Sequence, residues 1–100
     1  ETAMILSDFK LNEAELQFEL KADGQLAFLE YHREDDRLYL THTEVPTALR
    51  SQGVAAELVK EVLGFARQNG LSVIPLCSYV AYYMNNHTEW NDILSEGYQM

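Results

Sequence analysis

The hydrophobic period changes once along this chain, near Pro46, and that change restricts the folds open to it more than any other feature. Before Pro46 the apolar residues alternate. Leu16, Phe18 and Leu20 fall on one side, with Glu15, Gln17 and Glu19 on the other, which is the period of a half-buried strand over residues 15–20. Asp23-Gly24 follows, a dipeptide that tolerates positive φ and suits a hairpin turn, and residues 25–32 read as a second strand. The polar run 33–37 marks the next turn. A third strand covers 38–44, with Leu38, Leu40 and His42 on one face and Tyr39, Thr41 and Thr43 on the other. The three strands form an antiparallel meander.

After Pro46, Val54, Ala55, Leu58, Val59, Val62, Leu63 and Ala66 recur at helical spacing, opposite Glu57, Lys60, Glu61, Arg67 and Gln68. The spacing predicts an amphipathic helix over 54–69, ended by Asn69-Gly70, then a short buried strand over 71–75. Strand, helix and strand in this order imply a right-handed crossover and a parallel strand pair. Residues 78–94 fit two short helices broken near Asn85 to Thr88. The fold class is therefore α/β (α+β), an antiparallel meander joined to a βαβ crossover.

One hundred residues suffice for one compact domain spanning 1–100, since a chain of this size buries roughly two thirds of its unfolded surface around one core. A formal charge of −9 repels nucleic-acid phosphates and favours cationic partners. A lone cysteine, Cys77, cannot close an internal disulfide, which fits a reducing, cytoplasmic setting. No apolar run reaches the roughly 20 residues that span a bilayer, and Glu1-Thr2-Ala3-Met4 lacks the regions of a signal peptide, so neither membrane nor leader is expected. No Cys, His and carboxylate set has metal-ligand spacing, so no metal is expected either. Oligomeric state is not legible.

The segment Leu49 to Ala56 lies between the third strand and the helix. Backbone N–H groups in a helix's first turn lack partners inside the helix, and with the positive end of its dipole they attract anions. Gly53 allows close approach of a phosphate to the backbone, Ala55 and Ala56 keep the next turn slim, and Arg50 adds charge-assisted donors. A Walker Gly-Lys-Ser/Thr and a dinucleotide Gly-x-Gly-x-x-Gly are both missing, so a different phosphate ligand is indicated.

The loop motif Leu49-Arg50-x-Gln52-Gly53-Val54-Ala55 resembles the pyrophosphate loop of the GNAT superfamily of N-acetyltransferases. Thr41-His42-Thr43-Glu44-Val45-Pro46 before it, and Val73-Ile74-Pro75-Leu76-Cys77-Ser78-Tyr79-Val80, Tyr83 and His87-Thr88-Glu89-Trp90 after it, extend that likeness to a compact stand-alone GNAT-like family over residues 14–95. It departs from the pattern in having Ala55 where Gly is usual and Trp90 where a Tyr-type aromatic is more familiar.

The resemblance implies an acetyl-CoA-dependent transfer to an amine, small molecule or protein, with a non-catalytic acyl-CoA-binding module as the other reading. It implies a V-shaped gap between strands 38–44 and 71–75, where the backbone of Thr43 to Val45 holds the pantetheine arm. Arg50, Ser51 and the amides of Gln52, Gly53, Val54 and Ala55 would hold the pyrophosphate, and Tyr83 would line the groove as a cofactor contact, unless it is core. Cys77 would lie by the thioester as proton donor or acetyl acceptor, unless it is simply a buried small hydrophobe. Tyr79 is the other candidate acid, against plain packing. His42 is a candidate base because imidazole titrates near neutrality, unless it continues the Leu38 and Leu40 face; Glu44 is the alternative base. Tyr82 and Trp90 read as core or groove lining and His87 as a helix-boundary residue.

Overall fold

A computed structural model describes residues 8–95; the start Glu1 to Met4 lies outside the described residues. Strands β1 (Phe9–Asn12), β2 (Gln17–Ala22), β3 (Gln25–Glu34) and β4 (Arg37–Glu44) precede a 3₁₀ turn, Thr47–Gln52. Helix α1 (Val54–Gln68), strand β5 (Ser72–Pro75), helix α2 (Ser78–Asn85) and a second 3₁₀ turn, Thr88–Ile93, complete it. The sheet order is β1-β2-β3-β4-β5, antiparallel except for the parallel pair β4 and β5. The expected crossover is thus present, as is the break between the two tail helices.

The meander has one strand more than the sequence pattern suggests. β1 is only four residues long, too short for its alternation to stand out, yet Phe9 stacks on Phe18 and Leu11 packs against the core. Leu16 does not share the face of Phe18 and Leu20. It sits in the turn before β2 at φ 55°, is 51% exposed, and its carbonyl accepts a hydrogen bond from Tyr31 N–H. Asp23 and Gly24 both take positive φ, the conformation a two-residue hairpin needs.

A second departure lies in β4. Tyr31 pairs with Leu40 and Glu30 with His42, so Thr41 is an extra residue, a β-bulge, and its hydroxyl donates to the Glu30 carbonyl at 3.1 Å. One inserted residue swaps the faces beyond it. Leu38 and Leu40 are buried, but the inward positions then become Thr43 and Val45, and His42 is turned out to solvent instead of continuing the Leu38 and Leu40 face.

Both helices and both 3₁₀ turns pack on one face of the sheet around a single cluster of buried side chains. Leu58, Val59, Val62, Leu63 and Ala66 of α1 are fully buried against Phe18, Leu20, Leu29 and Leu40. Each large apolar side chain buried this way contributes about 1.5–3 kcal/mol. Arg67 lies over the Trp90 ring, 4.2 Å from its centroid, and pairs with Asp92, tying the last turn to α1. Among the described residues no helix is long and apolar enough to cross a membrane, and no group of His, Cys, Asp and Glu is placed to hold a metal ion.

On the opposite face, Glu19 is 5% exposed. Its carboxylate accepts from Gln17 Nε2 at 2.7 Å and Asn12 Nδ2 at 2.9 Å, and these bonds, with Lys10 and Lys21, hold its pKa below the usual carboxylate value. A carboxylate stabilised in the folded state contributes stability that is present above its unfolded pKa and lost as pH falls through the folded one. Glu19→Gln should therefore flatten the acid limb of a pH series of urea denaturations. Phe18 touches Phe9, Tyr31 and Phe65 and is fully buried. Phe18→Ala should cost about 3–5 kcal/mol in the same measurement.

Candidate active site

The paired register of β4 and β5 stops at Leu40 opposite Pro75, while β4 itself runs on to Glu44. Two local features end it. Pro75 has no N–H to offer a ladder, and the Leu40 carbonyl accepts from both Leu76 N–H (3.0 Å) and Cys77 N–H (2.8 Å), which turns the chain out of the strand into α2. Beyond that point, among the described residues, 42–45 have no strand beside them on the β5 side. The gap opens between Thr43 and Cys77, whose Oγ1 and Sγ atoms lie 3.3 Å apart in a hydrogen bond.

The start of α1 faces the same gap. Gly53 caps the helix at φ 74°, and the first α-helical bond runs from Glu57 N–H to the Gly53 carbonyl. The N–H groups of Val54, Ala55 and Ala56 thus have no acceptor within the helix. A Cβ placed on Gly53 would meet nothing within 4 Å, so the protein needs glycine here for the left-handed backbone; a side chain would crowd only a ligand. Residues 47–52, expected as a plain loop, form a 3₁₀ turn stiffened by Leu49 N–H on the Pro46 carbonyl. Arg50 Nε donates to the Val45 carbonyl at 3.0 Å, which fixes the guanidinium beside β4 and occupies one of the backbone acceptors expected to serve the ligand.

These elements enclose a cleft of about 430 Å³ lined by Thr43, Glu44, Val45, Arg50, Gly53, Ala55, Ala56 and Tyr79. Of the expected cofactor contacts, Thr43, Val45, Arg50, Gly53 and Ala55 meet here, and Ala56 joins them. Ser51 lies in the 3₁₀ turn. Three do not line it with their side chains. Val54 is buried in the core, so its part is limited to its N–H. Gln52 turns back to donate to the Ala48 carbonyl at 3.3 Å. Tyr83 is 6% exposed and stacks on His87 at 3.9 Å between centroids, a packing role set by the burial of the inner face of α2.

The chemically active candidates sit around the same cleft. Tyr79 lines it, and burial, with the neighbouring Tyr82 as a lesser cause, raises its pKa above the ordinary tyrosine value. The hydroxyl therefore keeps its proton. Cys77 is half-buried at the point where the strands part, in extended conformation at the cap of α2. His42 Nε2 and Glu44 Oε1 are 2.9 Å apart on the outer side of β4, both about half exposed, with Glu44 reaching the cleft wall. Sequence reading did not find the bulge at Thr41 or the Thr43–Cys77 contact. A signal for the first existed: inward Leu38 and Leu40 are even-numbered and inward Val45 is odd, and a regular strand cannot bury both sets on one side.

A family model described as GCN5-related N-acetyl-transferase matches residues 17–93. Protein NATD1 of Mus musculus is 34% identical over 74 residues, covering 71% of this chain and 67% of that protein. The solution NMR structure of a protein assigned as a GCN5-like N-acetyltransferase, from Staphylococcus aureus, superposes with a TM-score of 0.67 at 26% identity, covering 94% of this chain and 98% of that one. The five-stranded mixed sheet with its parting parallel pair and the match over residues 17–93 agree, and the chain belongs to the GCN5-related N-acetyltransferase family.

Proposed function

We propose that the cleft binds acetyl-CoA and that the protein transfers its acetyl group to a primary amine. One observation carries this reading: helix N–H groups with no acceptor inside the helix, a fixed arginine and the strand edge beyond the β5 ladder converge on a single cleft that also holds a protonated tyrosine. The N–H groups of Val54, Ala55 and Ala56 with Arg50 suit a pyrophosphate. The backbone of Thr43 and the N–H side of Val45 suit an amide-rich arm, since unpaired backbone groups gain most from a ligand that satisfies them. Acetyl-CoA, when bound, supplies an acetyl thioester whose carbon accepts the amine and whose sulfur leaves as a thiolate.

The chain's own residues then manage protons. Tyr79 Oη holds the proton that the departing sulfur takes up. The hydrogen-bonded pair His42 and Glu44, at the outer edge of the cleft, receives the proton lost by the amine as the C–N bond forms and the C–S bond breaks. Cys77 favours a second reading, in which it carries the acetyl group in transit. Its Sγ is positioned by Thr43 at the start of α2. The charge of −9 favours a cationic amine as acceptor.

Turnover of acetyl-CoA with n-butylamine, followed by release of free CoA, tests this together with thermal shift on the same samples. Tyr79→Phe should lower kcat by about 10²-fold or more, the scale of general acid–base catalysis, with the CoA-induced shift retained. Wild type that gains one acetyl mass where Cys77→Ser gains none assigns the covalent route; neither gaining it leaves the direct route. A thermal shift without turnover of any amine makes the protein a binding module, and no shift removes the cleft assignment altogether.

A further inference from the structure

The residues of the cleft are ordered between two ends. Arg50, bonded to the Val45 carbonyl, and Gly53 at the start of α1 mark the outer one. Thr43 is the next inward residue of β4, roughly 7 Å back along the strand toward the point where the ladder with β5 stops at Leu40 and Pro75. There the backbones have already parted, but side chains still bridge them: Thr43 Oγ1 and Cys77 Sγ lie 3.3 Å apart. A methylene passing between two atoms needs about 3.5–4 Å from each, so no carbon chain threads this contact.

Neither partner is free to swing aside. Cys77 N–H donates to the Leu40 carbonyl at 2.8 Å, and its side chain packs against the core cluster that includes the fully buried Leu40 and Val80. Thr43 pairs in register with Leu29 of β3, and its branched side chain is restricted at χ1. Close-packed surroundings of this kind answer a push with strain.

We propose that the Thr43–Cys77 contact is the floor of the acyl end of the cleft, and that it makes Thr43 the residue that limits the donor to a two-carbon acyl group. The floor rests on the reading of the cleft as a CoA site and sets a length limit on what that CoA carries. With the pyrophosphate at Arg50 and the start of α1, and the arm along Val45 and Thr43, the thioester substituent is the part of the ligand that reaches the floor. An acetyl group ends there. Each further methylene has to displace Thr43 or Cys77 against the core, and a fixed pocket discriminates by about tenfold or more per methylene. Trimming either side chain deepens the cleft and moves the preference toward longer chains.

Isothermal titration calorimetry with two unreactive thioethers, S-ethyl-CoA and S-butyl-CoA, tests the floor without turnover; kcat/KM for acetyl-CoA and butyryl-CoA with n-butylamine tests it in the reaction. Wild type should favour the two-carbon ligand by about tenfold or more in both measurements. Thr43→Ala and, from the other side, Cys77→Ala should each lower that preference by about tenfold. Thr43→Val keeps the branched shape without the hydroxyl and should keep the preference. The ratio is read within each variant, so a general loss of rate or affinity does not enter it. Circular dichroism melting checks that the variants are folded, and if one truncation is not, the other carries the test. Equal affinity of wild type for the two thioethers, a preference unchanged in the truncations, or a preference abolished by Thr43→Val would each overturn the floor. Thioether binding with the expected preference but no turnover of either acyl-CoA would leave the floor standing and count against the transfer reading. Binding of neither thioether removes the CoA reading, and the floor with it.

Discussion

The site depends on where two parallel strands stop pairing. β4 and β5 share a ladder only as far as Leu40 and Pro75, and the Leu40 carbonyl then takes two N–H groups from the chain leaving β5. Had the ladder continued, residues 42–45 would have been satisfied within the sheet, and the first turn of α1 would face a closed edge. Instead the strands separate around the Thr43–Cys77 hydrogen bond, and a polar strand edge is left beside the start of a helix. Unpaired backbone in a wall of otherwise buried residues is tolerable where water or a ligand can meet it.

Packing sustains that opening. α1 is pinned over the sheet by Leu58, Val59, Val62 and Leu63, so its N-terminal N–H groups stay directed at the gap without contributions from the ligand. Gly53 permits the sharp entry at φ 74°, and Arg50, held on the Val45 carbonyl, carries one of the chain's few positive charges to the same place. The bulge at Thr41 serves both sides of the sheet. Inside it brings Thr43 and Val45 to the cleft, and outside it presents His42 and Glu44.

Much of this was legible in the amino-acid order. The change from a period of two to a period of 3.6 located β2, β3, β4 and α1, and Asp23-Gly24 and Asn69-Gly70 marked their ends. Arg50, Gly53 and Ala55 were expected together at one site, and each lines the cleft. The rest depended on tertiary context. β1 is too short to show a period, and Leu16 breaks the alternation because the turn before β2 needs a residue at positive φ. The outward turn of His42 follows from a single extra residue whose only trace is the parity change between Leu40 and Val45. Tyr83 and the Val54 side chain turn to the core rather than the cleft, and a helix's inner and cleft-facing sides cannot be separated until its neighbours are known.

The central claim is that the cleft between the start of α1 and the free edge of β4 holds CoA. Amide chemical shifts of ¹⁵N-labelled protein titrated with CoA test it residue by residue. The account predicts that the largest changes fall on Val54, Ala55 and Ala56 at the helix start and on Thr43 and Val45 along the strand edge, with β1 and β2 unaffected. Changes confined to the outer sheet face or to the groove beside Trp90, with the α1 amides unmoved, would contradict it.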